Sequence, residues 1–539
     1  MEFDTQTEHP LDVLFFYTEK QYGKVYKFVI MIFINSVWRK NMKLFYKSSR
    51  GAGGKFTASE AIIRGIAEDG GLFVPNVLPE LKMDFSELAS KPYAEIAYEV
   101  MSLFLDDFEE EELKNCIANA YDDKFDTEDI APLVKLDERV SILELFHGPT
   151  LAFKDMALSI LPRFMQTAKK KNKIEEDIVI LTATSGDTGK AALEGFAGIE
   201  GIEIIVFFPE EGVSPVQKLQ MVTQEGQNTH VAGIIGNFDD AQTGVKMIFG
   251  DKDYAKKLKN KGYLLSSANS INIGRLIPQI VYYFSAYGQL LKQETVQNGD
   301  LVDFVVPTGN FGNILAGYYA KRMGLPVGHL VCASNENKVL TDFFESGNYD
   351  KNRTLTKTQS PSMDILVSSN LERLLYEISS KDENPVPEWM KALDEKGSYS
   401  VDELISGLEE DFEAGWIRGP EGRRCISDVY SKYGYLMDTH TAVAYGVNER
   451  RKVETKHHSV ILSTASPYKF PKSVLSSIDK KYEERKEIDL IEVMEDFVEG
   501  EIPMGVRDIR QRKVLHEYVC GKDGMREAVD KFLAGRDSK

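Results

Sequence analysis

Cysteine is scarce in this chain: four in 539 residues, at Cys116, Cys332, Cys425 and Cys520, with no C-x-x-C pair. Such spacing offers neither a disulfide framework nor a zinc-ligand pair, and it suits a reducing compartment, here taken as the cytoplasm. The eight histidines contain no H-E-x-x-H, and none pairs with a cysteine at ligand spacing. His457 and His458 are adjacent, a pattern expected in a surface loop, so no metal site is expected. Long apolar runs are missing too. The stretch "VYKFVIMIFINSVW" is short and Lys27 interrupts it, whereas a span needs about 20 apolar residues. Glu2, Asp4, Glu8 and Asp12 precede it, which is the wrong charge for a signal or transit peptide. Excess positive charge is also absent. The net charge is −19, which argues against a nucleic-acid or anionic-membrane partner. Low-complexity tracts and internal repeats are lacking.

What is present is an ordinary globular composition, 42% hydrophobic and 28% charged. At the usual domain size the length implies about two to four domains. Residues 1–41 read as an N-terminal extension, and the fold is expected to begin at Met42. Residues 42–135 are mainly helical in pattern. "SELASKPYAEIAYEVMSLFL" and "DFEEEELKNCIANAY" carry apolar residues at helical spacing, the second with its acids in the first turn. Beyond residue 139 strands and helices alternate. "DIVILTAT", "IEIIVFFP", "DFVVPT", "LVCAS" and "SVILSTAS" read as strands, several running through a Gly-rich loop into a helix. That order predicts α/β architecture with mostly parallel sheets and ligands at the strands' carboxyl ends. "SNLERLLYEISSKDENPVPEWMKALDEKG" predicts two helices about a polar turn.

Five loops carry candidate chemistry. In "ELFHGPTLAFKDMALSILPRF", residues 144–164, Lys154 falls at a predicted helix N-terminus among Leu151, Ala152 and Phe153. The helix end and the apolar neighbours both disfavour an ammonium and favour the neutral amine that condenses with an aldehyde. Taken alone, the commoner reading is a surface lysine with its charge in water. "PTGNFGNILAG", residues 307–317, ends a strand with Gly309, Asn310, Phe311, Gly312 and Asn313 before a helix, a form that suits a phosphate. "TATSGDTGKAA", residues 182–192, has the same strand–loop–helix order, with Ser185, Thr188 and the backbone near Gly186 and Gly189 placed for a carboxylate. It fails as a nucleotide P-loop, because Thr184 stands where a glycine is needed and Ala191 where a hydroxyl is needed. "SSANSINIGRLIPQIVYYF" places Ser270, Asn272 and Arg275 at the start of an apolar helix, where a bound anion would account for the arginine. "ILSTASPYKF" ends a strand with hydroxyls, Thr464 among them. An amine, a phosphate cup, a carboxylate clamp and a partner for a ring nitrogen are the set a pyridoxal phosphate site requires.

These motifs resemble the threonine synthase family. "HGPTLAFKD" resembles its cofactor-lysine motif; "SGDTGKAA", "NSINIGR" and "GNFGN" resemble its other signatures, in order. "SSRG" with "ASEAIIRGIAEDGGLFVPNVLPEL" resembles its entry segment. The resemblance runs from about Met42 to "STASPYKFP". It implies two doubly wound α/β domains of the tryptophan-synthase-β-like (fold type II) pyridoxal phosphate enzymes, plus a mainly helical N-terminal domain. The expected spans are 42–135 for the N-terminal domain, 136–290 for a smaller domain bearing the Schiff-base lysine, and 291–539 for a larger domain bearing the phosphate loop. It implies Lys154 as the Schiff-base lysine, Gly309, Asn310, Phe311, Gly312 and Asn313 around the cofactor phosphate, Thr464 facing the ring nitrogen, and Asp187 near the ring oxygen. Ser185, Gly186 and Thr188 are implied for the substrate carboxylate, and Ser270, Asn272 and Arg275 for the substrate phosphate. The implied reaction converts O-phospho-L-homoserine and water to L-threonine and phosphate. Two departures are Lys190, where the family often has proline, and Ser466, where it often has histidine. The rivals are a phospholyase giving 2-oxobutyrate and ammonia, and a non-catalytic homologue that binds a phosphorylated ligand. A monomer or weak homodimer is expected.

Overall fold

Parallel strands dominate, as the alternating pattern predicts. The computed structural model describes residues 43–184, 186–211, 213–379, 383–401, 404–452 and 455–535, without the side chains of 405 and 406. The extension 1–41 and the candidate residue Ser185 lie outside the described residues. The chain divides into Met1–Phe45 and Tyr46–Lys539, and every described strand and helix belongs to the second unit.

In chain order the strands are β1 (Tyr46–Ser48), β2 (Phe73–Pro75), β3 (Leu133–Lys135), β4 (Val140–Glu144), β5 (Asp177–Ala183), β6 (Ile202–Pro209), β7 (Thr229–Ile235), β8 (Tyr263–Ser266), β9 (Val302–Pro307), β10 (Val327–Ser334), β11 (Asn348–Asp350), β12 (Ser398–Ser400), β13 (Phe412–Trp416), β14 (His458–Ser463) and β15 (Tyr518–Gly521). One sheet runs β13-β10-β9-β14-β4-β3, parallel except for the β3 edge. The other runs β15-β7-β6-β5-β8 and is parallel throughout. All eight residues of β6 are buried, as a central strand covered on both faces requires.

The sheets do not keep to contiguous spans. β4, which leads into Lys154, pairs with β14 in the six-stranded sheet rather than joining the strands of 177–266. At the other end β15 returns to pair with β7 in the five-stranded sheet. Both pairings cross the expected boundary between 136–290 and 291–539. Hydrogen bonding between distant segments decides them, and local periodicity does not report it.

Residues 46–135 are mainly helical around the β1–β2 pair. The helix Ala58–Arg64 begins with a capping box between Thr57 and Glu60. The glutamate run opens the helix Glu110–Ala118, where Glu112 accepts the Glu109 N–H at 2.9 Å. The helix Ile273–Lys292 is buried along most of its length and packs on the N-terminal helices and on Gly312–Arg322. Gly288 permits one such approach, since a Cβ there would meet the Leu88 carbonyl oxygen at 2.7 Å. This helix holds Arg275 in its first turn.

The adjacent histidines part company: His457 lies in the half-buried bend before β14, and His458 is in the strand. His458 opens β14, is buried, and bonds Ser141 Oγ at 2.9 Å. His457 pairs with Asp303 at 2.8 Å, because the buried Asp303 carboxylate on β9 needs hydrogen-bond donors. The cysteines are unpaired, with Cys116 and Cys332 buried. Among the described residues no helix is long and apolar enough to cross a membrane.

Candidate active site

The lysine loop is stitched to the end of β14. The Phe153 N–H donates to the Thr464 carbonyl at 2.9 Å, and the Ser466 N–H to the Leu151 carbonyl at 3.0 Å. Leu151 takes a left-handed conformation, φ 62°, to make this turn. Lys154 then sits at the start of the helix Asp155–Leu158, as the sequence predicts. Asp155 turns inward and accepts from Thr150 N and Oγ1 at 2.8 and 2.6 Å. Burial pushes its carboxyl up to about 6.

Lys154 is not a surface lysine: its side chain is 12% exposed. Nζ lies 3.4 Å from Ser362 Oγ and 3.6 Å from Asp187 Oδ2. Burial lowers the pKa of the amine. The Asp187 carboxylate opposes this, and the charges of Lys469 and Arg275 add to it. Asp187 opens the helix Asp187–Phe196 after Gly186, whose φ of 149° and whose contact with the Gln217 side chain leave no room for a Cβ. Its carboxylate takes Lys469 Nζ at 3.0 Å, Gln217 Nε2 at 2.8 Å and Ser362 Oγ at 3.0 Å. Burial alone would raise its pKa; the Lys469 and Lys154 charges override that and hold it far below the usual carboxylate range. Thr188 is half-buried beside it.

The 309–313 loop enters the helix Gly312–Arg322, whose free backbone N–H groups form a cup suited to an anion. Phe311 is buried in the left-handed region at φ 63°, and Asn310 is exposed. Gly309 is required because a Cβ there would meet the Ser362 carbonyl at 2.6 Å. Asn313 Oδ1 accepts from Tyr282 and Tyr283 hydroxyls at 2.6 and 3.0 Å, while its buried Nδ2 has no partner. Asn370 ties this loop to the next by donating to the Asn310 and Ser270 carbonyls at 3.1 and 3.2 Å. The fully buried Arg373 braces Asn370 and also bonds the Phe73 and Ile271 carbonyls.

Arg275 is 3% exposed. It donates to the Ala268 carbonyl at 3.1 Å, and its Nε has no partner. No described carboxylate pairs with it, and burial alone pulls its pKa down to about 10. Asn272 does not face this space. Its amide caps the helix at Gly274 N and binds the Ile62 and Ser267 carbonyls, so its part is to hold the helix start. Lys190 points away, to Glu194 at 2.7 Å and to Gln224. Ser466 accepts the Tyr468 N–H at 3.3 Å and caps a turn.

Four contributors escaped sequence reasoning: Lys469, Gln217, Ser362 and His440. His440 is buried at the start of the helix Thr439–Asn448, with Nδ1 on Asp438 Oδ2 at 2.6 Å and Nε2 accepting the Ser362 N–H at 3.2 Å. "DTHTA" signals only a helix cap at Asp438. One ligand-type group, Asp303, His329 and His457, comes together among the described residues. Its carboxylate already holds Arg451 at 2.8 Å.

A buried lysine of lowered pKa beside an anion cup with an unpartnered amide fits an aldehyde cofactor bearing a phosphate. Sequence comparison agrees. The profile described as "Pyridoxal-phosphate dependent enzyme" matches residues 128–408, flanked by "Threonine synthase N terminus" at 45–121 and "Threonine synthase, C-terminal" at 441–518. The threonine synthase of Schizosaccharomyces pombe is 39% identical over 462 residues, 80% of this chain and 88% of that one. Human threonine synthase-like 1 is 41% identical over 436 residues, 78% of this chain; the match spans 58% of that protein's length. The PLP-bound threonine synthase of Brucella melitensis superposes with TM-score 0.81 at 37% identity, covering 91% of this chain and 99% of that one. The yeast enzyme gives 0.81 at 32%, with the same coverage. The fold and site are those of a fold type II pyridoxal phosphate enzyme. Within that class, the chain belongs to the threonine synthase family, and pyridoxal phosphate is its cofactor.

Proposed function

We propose that the protein is a threonine synthase, converting O-phospho-L-homoserine and water to L-threonine and phosphate. The observation that carries the reading is Arg275, a buried guanidinium with no counter-ion among the described residues, close enough to Lys154 to depress the amine's pKa. A substrate that brings its own phosphate supplies the missing charge. Ser270, beside Arg275 at the same helix start, belongs to this phosphate site.

The other roles are those that membership of the family suggests. The 309–313 loop holds the cofactor phosphate on backbone N–H groups at the helix start. Thr464 would offer its hydroxyl to the ring nitrogen, and Asp187 would serve the ring oxygen. Ser185, Gly186 and Thr188 hold the substrate carboxylate. When bound, pyridoxal phosphate supplies an electron sink for the charge left at Cα. Lys154, its pKa lowered by burial, takes the Cα proton and later returns one. Loss of a Cβ proton lets phosphate depart from Cγ with the C–O bonding electrons, toward Arg275, and Cγ takes up a proton to become the methyl group. Water then contributes hydroxide at Cβ and a proton, so substrate plus water equals threonine plus phosphate.

A second reading keeps the same cofactor residues but omits water addition, giving 2-oxobutyrate, ammonia and phosphate. It draws on the 41% identity to a relative named only threonine synthase-like. One incubation of the loaded protein with O-phospho-L-homoserine separates the two. Threonine equal to phosphate supports the synthase; 2-oxobutyrate equal to phosphate replaces it with the lyase; no phosphate overturns both.

A further inference from the structure

Ser362 has no part in the roles above, yet its hydroxyl touches the reacting amine. It lies in the turn Pro361–Met363. Its Oγ is 3.4 Å from Lys154 Nζ and 3.0 Å from Asp187 Oδ2. Its N–H donates to His440 Nε2 at 3.2 Å, and its carbonyl packs against Gly309 of the phosphate cup. One residue therefore joins amine, carboxylate, imidazole and cup.

The turn is held from behind. Asp364 accepts from Thr358 N and Oγ1 at 2.8 and 2.7 Å and from the amides of Asn335 and Asn337 at 2.8 and 2.9 Å. His440 is held as firmly. Because its Nε2 accepts a backbone N–H, its proton resides on Nδ1 and is donated to Asp438 Oδ2. Asp438 in turn accepts the His440 and Thr441 N–H groups, each at 2.9 Å.

Hydrogen-bond directions then follow. Asp187 is an ionised acceptor, so the Ser362 O–H donates to it. The Ser362 lone pairs are left facing Lys154. A neutral amine has two N–H bonds and one lone pair. With one N–H aimed at Ser362 Oγ and the other toward Asp187 Oδ2, the lone pair has a single remaining direction.

We propose that Ser362 is a catalytic residue that aims the Lys154 amine, and that His440 and Asp438 are positioning residues acting through it. No proton passes along the chain to Asp187, since a carboxylate held ionised between two lysines is a poor base. The inference rests on Lys154 being the cofactor lysine.

The test uses the loaded enzyme and four variants: Ser362→Ala, Ser362→Thr, His440→Gln and the double Ser362→Ala/His440→Gln. The first readout is the pH titration of the bound cofactor's absorption band without substrate. The others are kcat, KM and the melting temperature. Ser362→Ala is expected to move the titration midpoint by about half a unit or more. It is also expected to lower kcat about 100-fold with KM and melting temperature unchanged. Ser362→Thr restores both. His440→Gln gives a smaller change of the same sign, and the double variant is no worse than Ser362→Ala alone. The proposal is overturned by an unmoved midpoint in Ser362→Ala, by a folded Ser362→Thr displaced as far as Ala, or by additive losses in the double variant. The band titration needs no substrate, so it stands whether or not threonine is the product.

Discussion

Lys469, without exposed surface, places its ammonium 3.0 Å from Asp187 Oδ1, closer than Lys154 comes to the same carboxylate. Lys469 is thus the main counter-ion at the centre of the site. Replacing it with methionine leaves Asp187 buried with one cation fewer, and breaking a buried pair costs about 3–5 kcal/mol. Urea unfolding of Lys469→Met at pH 7 measures the loss. Asp187's depressed pKa contributes stability above the unfolded carboxylate value and loses it as pH falls through the folded one. The variant therefore unfolds at higher pH than the parent on acidification.

Lys154→Ala tests the amine itself. Turnover is abolished, while Asp187 keeps Lys469, Gln217 and Ser362 as partners. The melting temperature stays within about 2 °C of the parent. Near-normal turnover in this variant would remove Lys154 from the mechanism.

Arg275→Met has opposite effects on stability and on substrate use. Removing a buried charge that lacks a counter-ion is neutral or stabilising, by up to about 4 kcal/mol in unfolding without ligand. In the same variant KM for the phosphorylated substrate rises at least about 100-fold. A loss of stability with unchanged KM would show the guanidinium to be structural.

His147, in the lysine motif, sits between Asp126 at 2.5 Å and Glu144 at 2.9 Å. Burial would lower its pKa, but these two carboxylates raise it to about 9. A raised pKa gives stability that is complete below about 6.5, the unfolded value, and is lost as pH rises through about 9. Unfolding midpoints measured from pH 6 to 10 should fall over that window, and His147→Gln should flatten the fall.

The sequence made the strand–loop–helix elements legible wherever a buried strand runs straight into a Gly-rich loop. β5 into Asp187 and β9 into Gly312 are of this kind, and their side-chain periods and turn residues are local. Lys154 was legible through its neighbours and its motif. Lys469 was not, because a lysine among Tyr468 and Phe470 reads the same whether it ends in water or on a carboxylate. Ser362 and His440 were hidden for a related reason. Each owes its place to contacts across long sequence separations, 175 residues in the case of Ser362 and Asp187. Asn272 reads with Ser270 and Arg275 as a substrate-phosphate residue, but its amide is taken up by the Gly274 N–H and the Ile62 and Ser267 carbonyls, contacts that the motif does not report. β15 escaped because its half-exposed residues gain meaning only beside β7.

The two sheets divide the central charges unequally. Lys154 follows β4 and Lys469 follows β14, both in the six-stranded sheet, while Asp187 follows β5 in the five-stranded one. Any motion that parts the sheets withdraws the carboxylate from both lysines. Parting also readmits water to Lys154, and because burial is the largest cause of its lowered pKa, the amine returns toward the ordinary lysine range. The titration of Lys154 is therefore a gauge of cleft closure, readable without labelling either half of the molecule.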